Sequence, residues 1–293
     1  MELKEILKNK RKKLSENSLK TYVSILSNIY KNVFGEGEMD MENFNKYDDI
    51  MKYLEDKGLS TRKTSLSALF VLTDDKRYKK EMLKDIRKYD KEQNTREMTD
   101  KMKESWIENI DKEYDKLEKE FKLLSSQEKH TVDELQRMQN FIILLVLGGV
   151  YIPPRRSKDY TEFKVKNIDE KKDNYMDKNK FIFNTYKTAK SYGKQSIDIP
   201  IKMKNYLLKW ISLNPTDFLL FDKNNNKLNN VKLNQRLNKI LGDGKAVNSL
   251  RHMYLTKHLG QYADQNDTAK EKFKMMGSSM RQLNVYVKKT NQL

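Results

Sequence analysis

The chain contains no cysteine, which excludes disulfides, thiolate nucleophiles and cysteine-based zinc sites together. Histidine is scarce as well, with copies only at 130, 252 and 258, so neither a metal nor any other cofactor is expected. Long apolar runs are also missing. The longest, "FIILLVLGGVYIPP" at 141 to 154, is too short to cross a bilayer, and the amino-terminal "MELKEILKNKRKKLSENS" has no apolar core of signal-peptide length. The expectation is a soluble, intracellular protein without membrane contact. Arginine is the last scarcity: counted along the chain, 11 of the 59 basic residues are Arg and 48 are Lys. AT-rich coding, as in a virus or mobile element, produces lysine-rich chains of this kind. An arginine that persists in one is therefore a candidate for work that needs its planar, bidentate fork.

What is abundant is positive charge. The 59 basic residues face 42 acidic ones, a net charge of +17, so the folded surface should attract polyanions, with nucleic acid the first partner to consider. The length of 293 residues suits two domains with separate cores.

The amino-terminal part is helical in pattern. "SENSLKTYVSILSNIYKNVF" opens with Ser15 and Ser18 as caps and spaces Leu19, Tyr22, Val23, Leu26, Ile29, Tyr30 and Val33 along one helical face. A short helix follows around Tyr47 to Leu54, another runs from Ser60, and a fourth runs from about Arg77 to Lys91. Residues 92 to 105, "EQNTREMTDKMKES", lack an apolar face, which sets a boundary there and two domains at 1–98 and 99–293. Beyond it come the charged helix "WIENIDKEYDKLEKEFKLL" and then "TVDELQRMQNFIILLVLGG", which begins at a cap-like Thr131 and ends at Gly148 and Gly149.

After Arg155 and Arg156 the period changes. "FKVKNID", "KFIFNTYKTAK" and "KQSIDIPI" read as a small antiparallel sheet of three strands, with the Asn- and Lys-rich stretches between them as turns. Helices resume with "KMKNYLLKWISL", "NNVKLNQRLNKIL", "NSLRHMYLTKHLGQYA" and "TAKEKFKMMG". The fold class expected is mainly α with a small antiparallel sheet, an α+β arrangement.

This order of parts resembles the tyrosine recombinase, or phage-type integrase, family, and the resemblance covers nearly the whole chain. "RSKDYTEFKVKNID" matches that family's first catalytic arginine, with an acid three residues later and a strand leading to an Asp-Ile-Asp-like turn. This register selects Arg156 over Arg155, with Asp159 as the acid. The family's lysine lies on a β-hairpin in a Lys-Thr or Lys-Gly context, which implies Lys187 in "TYKTAKSYGK", with Lys190 as alternate. The family's His-x-x-Arg-His aligns with "NSLRH", so that Arg251 is the second arginine, His252 follows it, and Asn248 stands where histidine is usual. His258 reads as a packing or surface residue. In "MMGSSMRQLNVYVKK" Ser278 stands in place of His or Trp, and Tyr286 is the nucleophile, one residue closer to that position than is usual.

The resemblance implies a helical core-binding domain and a catalytic domain that together grip double-stranded DNA, as a homo-oligomer, usually a tetramer. It implies cutting and rejoining through a covalent 3′-phosphotyrosine without metal. Asn248 can hydrogen-bond but holds no proton charge near neutral pH, and Ser278 can bond a phosphate oxygen. Two other outcomes stay open: strand relaxation of the type IB topoisomerase kind, and a catalytically degenerate DNA-binding protein of the same fold.

Overall fold

The computed structural model describes residues 2–95, 97–260, 266–278 and 282–286. The chain divides into two compact units, Met1–Thr95 and Arg96–Leu293.

The first unit contains α1 (Leu3–Lys10), α2 (Glu16–Phe34), a 3₁₀ turn (Met41–Asn45), α3 (Tyr47–Leu54), α4 (Leu59–Thr73) and α5 (Lys76–Asn94). Ser15 caps α2, its hydroxyl accepting from the Ser18 amide at 3.2 Å, and the chain leaves the helix through Gly35. Leu19, Leu26 and Ile29 on one face of α2 meet Ile50 and Leu54 of α3 and Leu66, Leu69 and Leu72 of α4 in a closed apolar core. α1 is not legible beforehand, because only Leu3, Ile6 and Leu7 carry its apolar face before a basic run. It is held because Leu7 is fully buried in that core.

The second unit contains α6 (Asp100–Glu104), α7 (Asp111–Ser125), α8 (Val132–Leu147), α9 (Ser157–Thr161), β1 (Phe163–Lys164), β2 (Asn174–Asp177), β3 (Lys180–Phe183), α10 (Ala189–Tyr192), β4 (Gln195–Asp198), α11 (Ile201–Leu213), α12 (Asn230–Leu241), α13 (Val247–Leu259), α14 (Asn266–Met275) and α15 (Leu283–Tyr286). Helix α8 is the axis of this unit. A capping box starts it, with the Thr131 side chain on the Glu134 amide and the Glu134 carboxylate on the Thr131 amide, and residues 141 to 147 are buried without a break. Phe141 packs against Phe121 of α7 at 5.0 Å and Tyr206 of α11 at 4.9 Å between ring centroids. Trp210 stacks on Phe221 and satisfies its indole N–H on the Leu219 carbonyl at 2.9 Å. Each such ring contributes about 1.5–3 kcal/mol through burial.

The sheet has four strands in the order β1-β2-β3-β4, one more than the sequence predicts, and it is mixed: β1 pairs parallel with β2, while the other pairings are antiparallel. The added strand is "NYMD", a stretch whose polarity predicts a turn. Its first residue, Asn174, points inward where an apolar residue is usual, and its amide donates to the carbonyls of Asp159 at 3.1 Å and Thr185 at 2.8 Å. Hydrogen bonding therefore takes the place of the apolar alternation that pattern reading relies on. Tyr160, Phe163, Phe181 and Phe183 cluster where α9 meets the sheet, which fixes the segment carrying both arginines.

α8 ends at Gly148 and Gly149. Gly149 has φ +77°, and a Cβ there would lie 2.6 Å from the Tyr254 ring, so the turn back toward α13 has no room for a side chain. Among the described residues, no helix is long and apolar enough to cross a membrane.

Candidate active site

Arg155 and Arg156 follow Pro153 and Pro154 in an extended link between α8 and α9, and Arg156 is the residue before the first turn of α9, with φ −72° and ψ 151°. Extended backbone sends successive side chains in different directions. The two arginines accordingly do different things. Arg155 is fully buried: its Nε donates to Asp159 at 2.8 Å, and its Nη1 donates to Gln195 of β4 at 2.7 Å and to the Met275 carbonyl at 2.5 Å. Its guanidinium carbon sits 3.9 Å from the Phe183 ring centroid and 4.9 Å from that of Tyr186. Arg156 is only half-buried and donates to the Gly277 carbonyl.

Helix α13 supplies the third guanidinium. Arg251 is fully buried, and its Nη1 donates to the Pro154 carbonyl at 2.9 Å and to the Met276 carbonyl at 3.2 Å. Its Nη2 stands 3.5 Å from the Tyr286 hydroxyl, at the end of α15, and its guanidinium carbon lies 5.0 Å from the ring centroid of that tyrosine. His252 and Thr256, on the same face of α13, hold the main chain at this point. His252 Nδ1 is 3.0 Å from the Tyr286 carbonyl, and the Thr256 hydroxyl donates to the same oxygen at 3.3 Å. The His252 and Tyr286 rings pack at 4.9 Å. Asn248 is exposed on the first turn of α13. His258 is exposed too, its ring 4.3 Å from that of Tyr254.

Helix α14 closes in a Schellman turn: the Ser278 amide donates to the Phe273 carbonyl at 2.7 Å and the Gly277 amide to the Lys274 carbonyl at 2.9 Å. Gly277 has φ +62°, and a Cβ on it would meet Arg155 Nη2 at 3.1 Å, the Tyr186 ring at 3.3 Å and Arg156 Nη1 at 3.4 Å. Glycine is required here both by backbone conformation and by space. Ser278, buried behind the turn, has a hydroxyl without a hydrogen-bond partner among the described residues.

Lys187 is exposed in the connection from β3 to α10, between two anchored neighbours. Tyr186 is buried with its hydroxyl on the Gly193 carbonyl at 2.7 Å, and the Thr188 hydroxyl donates to the Gly277 carbonyl at 3.1 Å, the oxygen that Arg156 also uses. The root of Lys187 is thereby tied to the site while its side chain is exposed. Lys190 is exposed on α10.

Among the described residues, the guanidiniums of Arg155, Arg156 and Arg251 all act on one carboxylate, Asp159, which leaves positive charge in excess there. Burial raises the Asp159 carboxyl from its ordinary value, against the opposing pull of Arg155, Arg156 and Arg251. Burial lowers the Arg251 guanidinium, with Tyr286 opposing and Arg156 adding to the fall. Arg155 Nη2 and Arg251 Nε, like the Ser278 hydroxyl, are buried and without a hydrogen-bond partner among the described residues. Unsatisfied buried donors around excess positive charge suit an anion with several acceptor oxygens.

The structure thus gathers Arg156, Arg251, His252, Ser278 and Tyr286 in one place, brings the neighbour of Lys187 to it, and leaves the Asn248 side chain at the surface. Sequence reading misses Gln195 and Thr188, whose contacts lie 79 and 89 residues away along the chain. It also passes over Arg155. Its one available signal was arginine scarcity, which marks both members of the pair equally.

The XerH site-specific recombinase bound to palindromic difH substrate, in a post-cleavage complex, is similar to this structure with a TM-score of 0.51 and 13% identity, covering 92% of this chain and 76% of that one. XerH bound to difH substrate in a pre-cleavage complex gives 0.49 and 13%, covering 99% and 91%, and XerA recombinase gives 0.39 and 11%, covering 99% and 93%. No protein-family model and no curated protein matches the sequence. The mostly helical second unit, its small mixed sheet and the similarity to the post-cleavage XerH complex establish that the chain has the tyrosine recombinase fold.

Proposed function

We propose that this protein cuts and rejoins double-stranded DNA as a site-specific recombinase, with Tyr286 as nucleophile. The observation that carries the reading is the Tyr286 hydroxyl 3.5 Å from a fully buried Arg251, in a centre where, among the described residues, three guanidiniums act on one carboxylate, Asp159. A phosphodiester is the group that such a centre stabilises.

In the reaction the Tyr286 hydroxyl loses its proton to solvent, its oxygen bonds to phosphorus and the bond to the 5′-oxygen breaks, leaving a 3′-phosphotyrosine that conserves the energy of the bond for rejoining. Charge builds on the non-bridging oxygens as phosphorus becomes five-coordinate. Arg156 and Arg251 stabilise it from two sides, and the Ser278 hydroxyl is a further donor at the same oxygens. His252 and Thr256 hold the main chain of the nucleophile. Lys187, on its tethered connection, gives a proton to the departing 5′-oxygen. Arg155 is bound on three sides and serves to position the residues around it. The lysine-rich first unit acts as the DNA core-binding domain, the +17 excess of the whole chain favours contact with phosphates, and recombination assembles several copies on the DNA.

A second reading, DNA binding without cleavage, draws on the exposed Asn248, which brings no titratable group to the centre. Covalent trapping separates the two. The protein is incubated with nicked duplexes from a randomised pool, and an SDS-resistant protein–DNA adduct that disappears with Tyr286→Phe is the expected result. Salt-sensitive binding with no adduct would establish the binding-only reading. Relaxation of supercoiled plasmid without strand exchange would point to the topoisomerase outcome.

A further inference from the structure

Four successive main-chain carbonyls at the end of α14, those of Lys274, Met275, Met276 and Gly277, each accept a hydrogen bond from a side chain elsewhere in the fold: Gln195, Arg155, Arg251, and Arg156 together with Thr188. The last carbonyls of a helix carry roughly half a negative charge between them and normally face solvent. Here they face three guanidiniums. The Schellman turn at Gly277 aims them there. The same turn closes the centre, since Arg251 is 0% exposed, Ser278 1% and Tyr286 8%.

We propose that this carbonyl turn is an internal stand-in for the DNA phosphate that keeps the site shut until DNA displaces it. The inference rests on the reading of the centre as a phosphodiester site. Arg251 and Arg156 cannot give the same protons to the Met276 and Gly277 carbonyls and to phosphate oxygens, so the two ligands compete. A phosphate carries a full charge where the turn offers a fraction of one, so DNA wins when its backbone is correctly seated and the turn wins when it is not. The Arg155 bonds to Asp159 and Gln195 do not involve the turn and survive the exchange, which makes that residue the fixed side of the gate. The guanidinium donors now unused, Arg155 Nη2 and Arg251 Nε, become available once the turn withdraws. In this state the protein is protected from cutting DNA it has only brushed against.

The prediction has a sign. Thr188→Val removes a hydroxyl that holds the turn and bonds no arginine, whereas Gln195→Leu removes a second donor to the turn together with an acceptor of Arg155 Nη1, so its rate is read only beside that of Thr188→Val. Both should raise the rate of adduct formation on nicked duplex several-fold at saturating DNA. If the turn instead holds the site in working geometry, both variants will be slower, and slower or unchanged rates overturn the proposal. A second measurement needs neither DNA nor activity. Phenylglyoxal, read by peptide mass, should modify Arg251 at least tenfold more slowly than the exposed Arg87 in the wild-type protein, and several-fold faster in Thr188→Val. Arg251 reacting as fast as Arg87 in the wild type, or equally slowly in both proteins, also overturns it. Where Gln195→Leu fails to fold, Thr188→Val, which replaces only a hydroxyl, carries the test. Absence of any adduct from all proteins would sink the strand-transfer reading, while the labelling would still decide whether the turn screens the arginines.

Discussion

Arg251 and Tyr286 meet inside the second unit, guanidinium nitrogen to phenol oxygen at 3.5 Å, although 35 residues separate them in the chain. The contact places a permanent positive charge where a phenolate or an attacked phosphate would need it.

Replacing Arg251 tests that contact. Arg251→Lys keeps the charge but loses the fork, and adduct formation on nicked duplex should slow by about a hundred- to a thousandfold, as for loss of an oxyanion donor. Arg251→Ala also orphans the Pro154 and Met276 carbonyls and should lower stability by about 1–3 kcal/mol, measured by urea denaturation. An Arg251→Lys protein as fast as wild type would remove the arginine from the proposed chemistry.

The role given to Lys187 is proton donation to a leaving alkoxide. Lys187→Ala should therefore slow cleavage of ordinary DNA by about a hundred- to ten-thousandfold and recover most of that rate on a substrate carrying sulfur at the 5′ bridging position, since a thiolate leaves without a proton. If Lys190→Ala shows the rescue and Lys187→Ala does not, the alternate lysine is the acid.

Gly277 is the most constrained small residue of the centre. With φ +62° and Arg155 Nη2 only 3.1 Å from any added Cβ, Gly277→Ala should cost about 1–2 kcal/mol in backbone conformation alone. The crowded arginine adds to that. The urea midpoint should fall accordingly, and an unchanged midpoint would mean that the turn rearranges freely.

Acid sensitivity has an identifiable contributor in Asp222. Its carboxylate accepts from Lys232 at 2.7 Å, the largest cause, and from the amides of Asn226 and Asn224, all of which lower its pKa below the ordinary 3.8. A depressed carboxylate stabilises the fold above its unfolded pKa, and that stability is lost as pH falls through the folded value, here below about 4. Urea midpoints followed from pH 7 to pH 2.5 should therefore drop less steeply at the acid end in Asp222→Asn than in wild type. Parallel curves would assign the acid limb to other groups.

Much of this fold was legible where apolar spacing is strong and capped. α2 announced itself through Ser15 and seven periodic apolar positions, and α8 through Thr131 and an apolar run ending in two glycines. β2 was not legible, because Asn174 fills an inward position by hydrogen bonding to main chain, which leaves no periodic trace. Arg251 could be singled out because "NSLRH" resembles a family motif that is local in sequence, whereas its partners Pro154, Met276 and Tyr286 lie 25 to 97 residues away. The division of labour between Arg155 and Arg156 was not visible as geometry. It depends on Gln195, Met275 and Gly277, residues that only the finished fold brings near.

The end of α14 has a consequence for how the molecule comes into being. Its carbonyls are held by residues 25 to 121 positions away, so that turn cannot set until the sheet, α9 and α13 are already in place, and long-range closure of this kind comes late in folding. On the proposed function, a chain still emerging from synthesis, or one partly unfolded by heat, carries its tyrosine with no guanidinium beside it. Chemical competence then arrives as the last event of folding, and an immature copy is harmless to the genome around it.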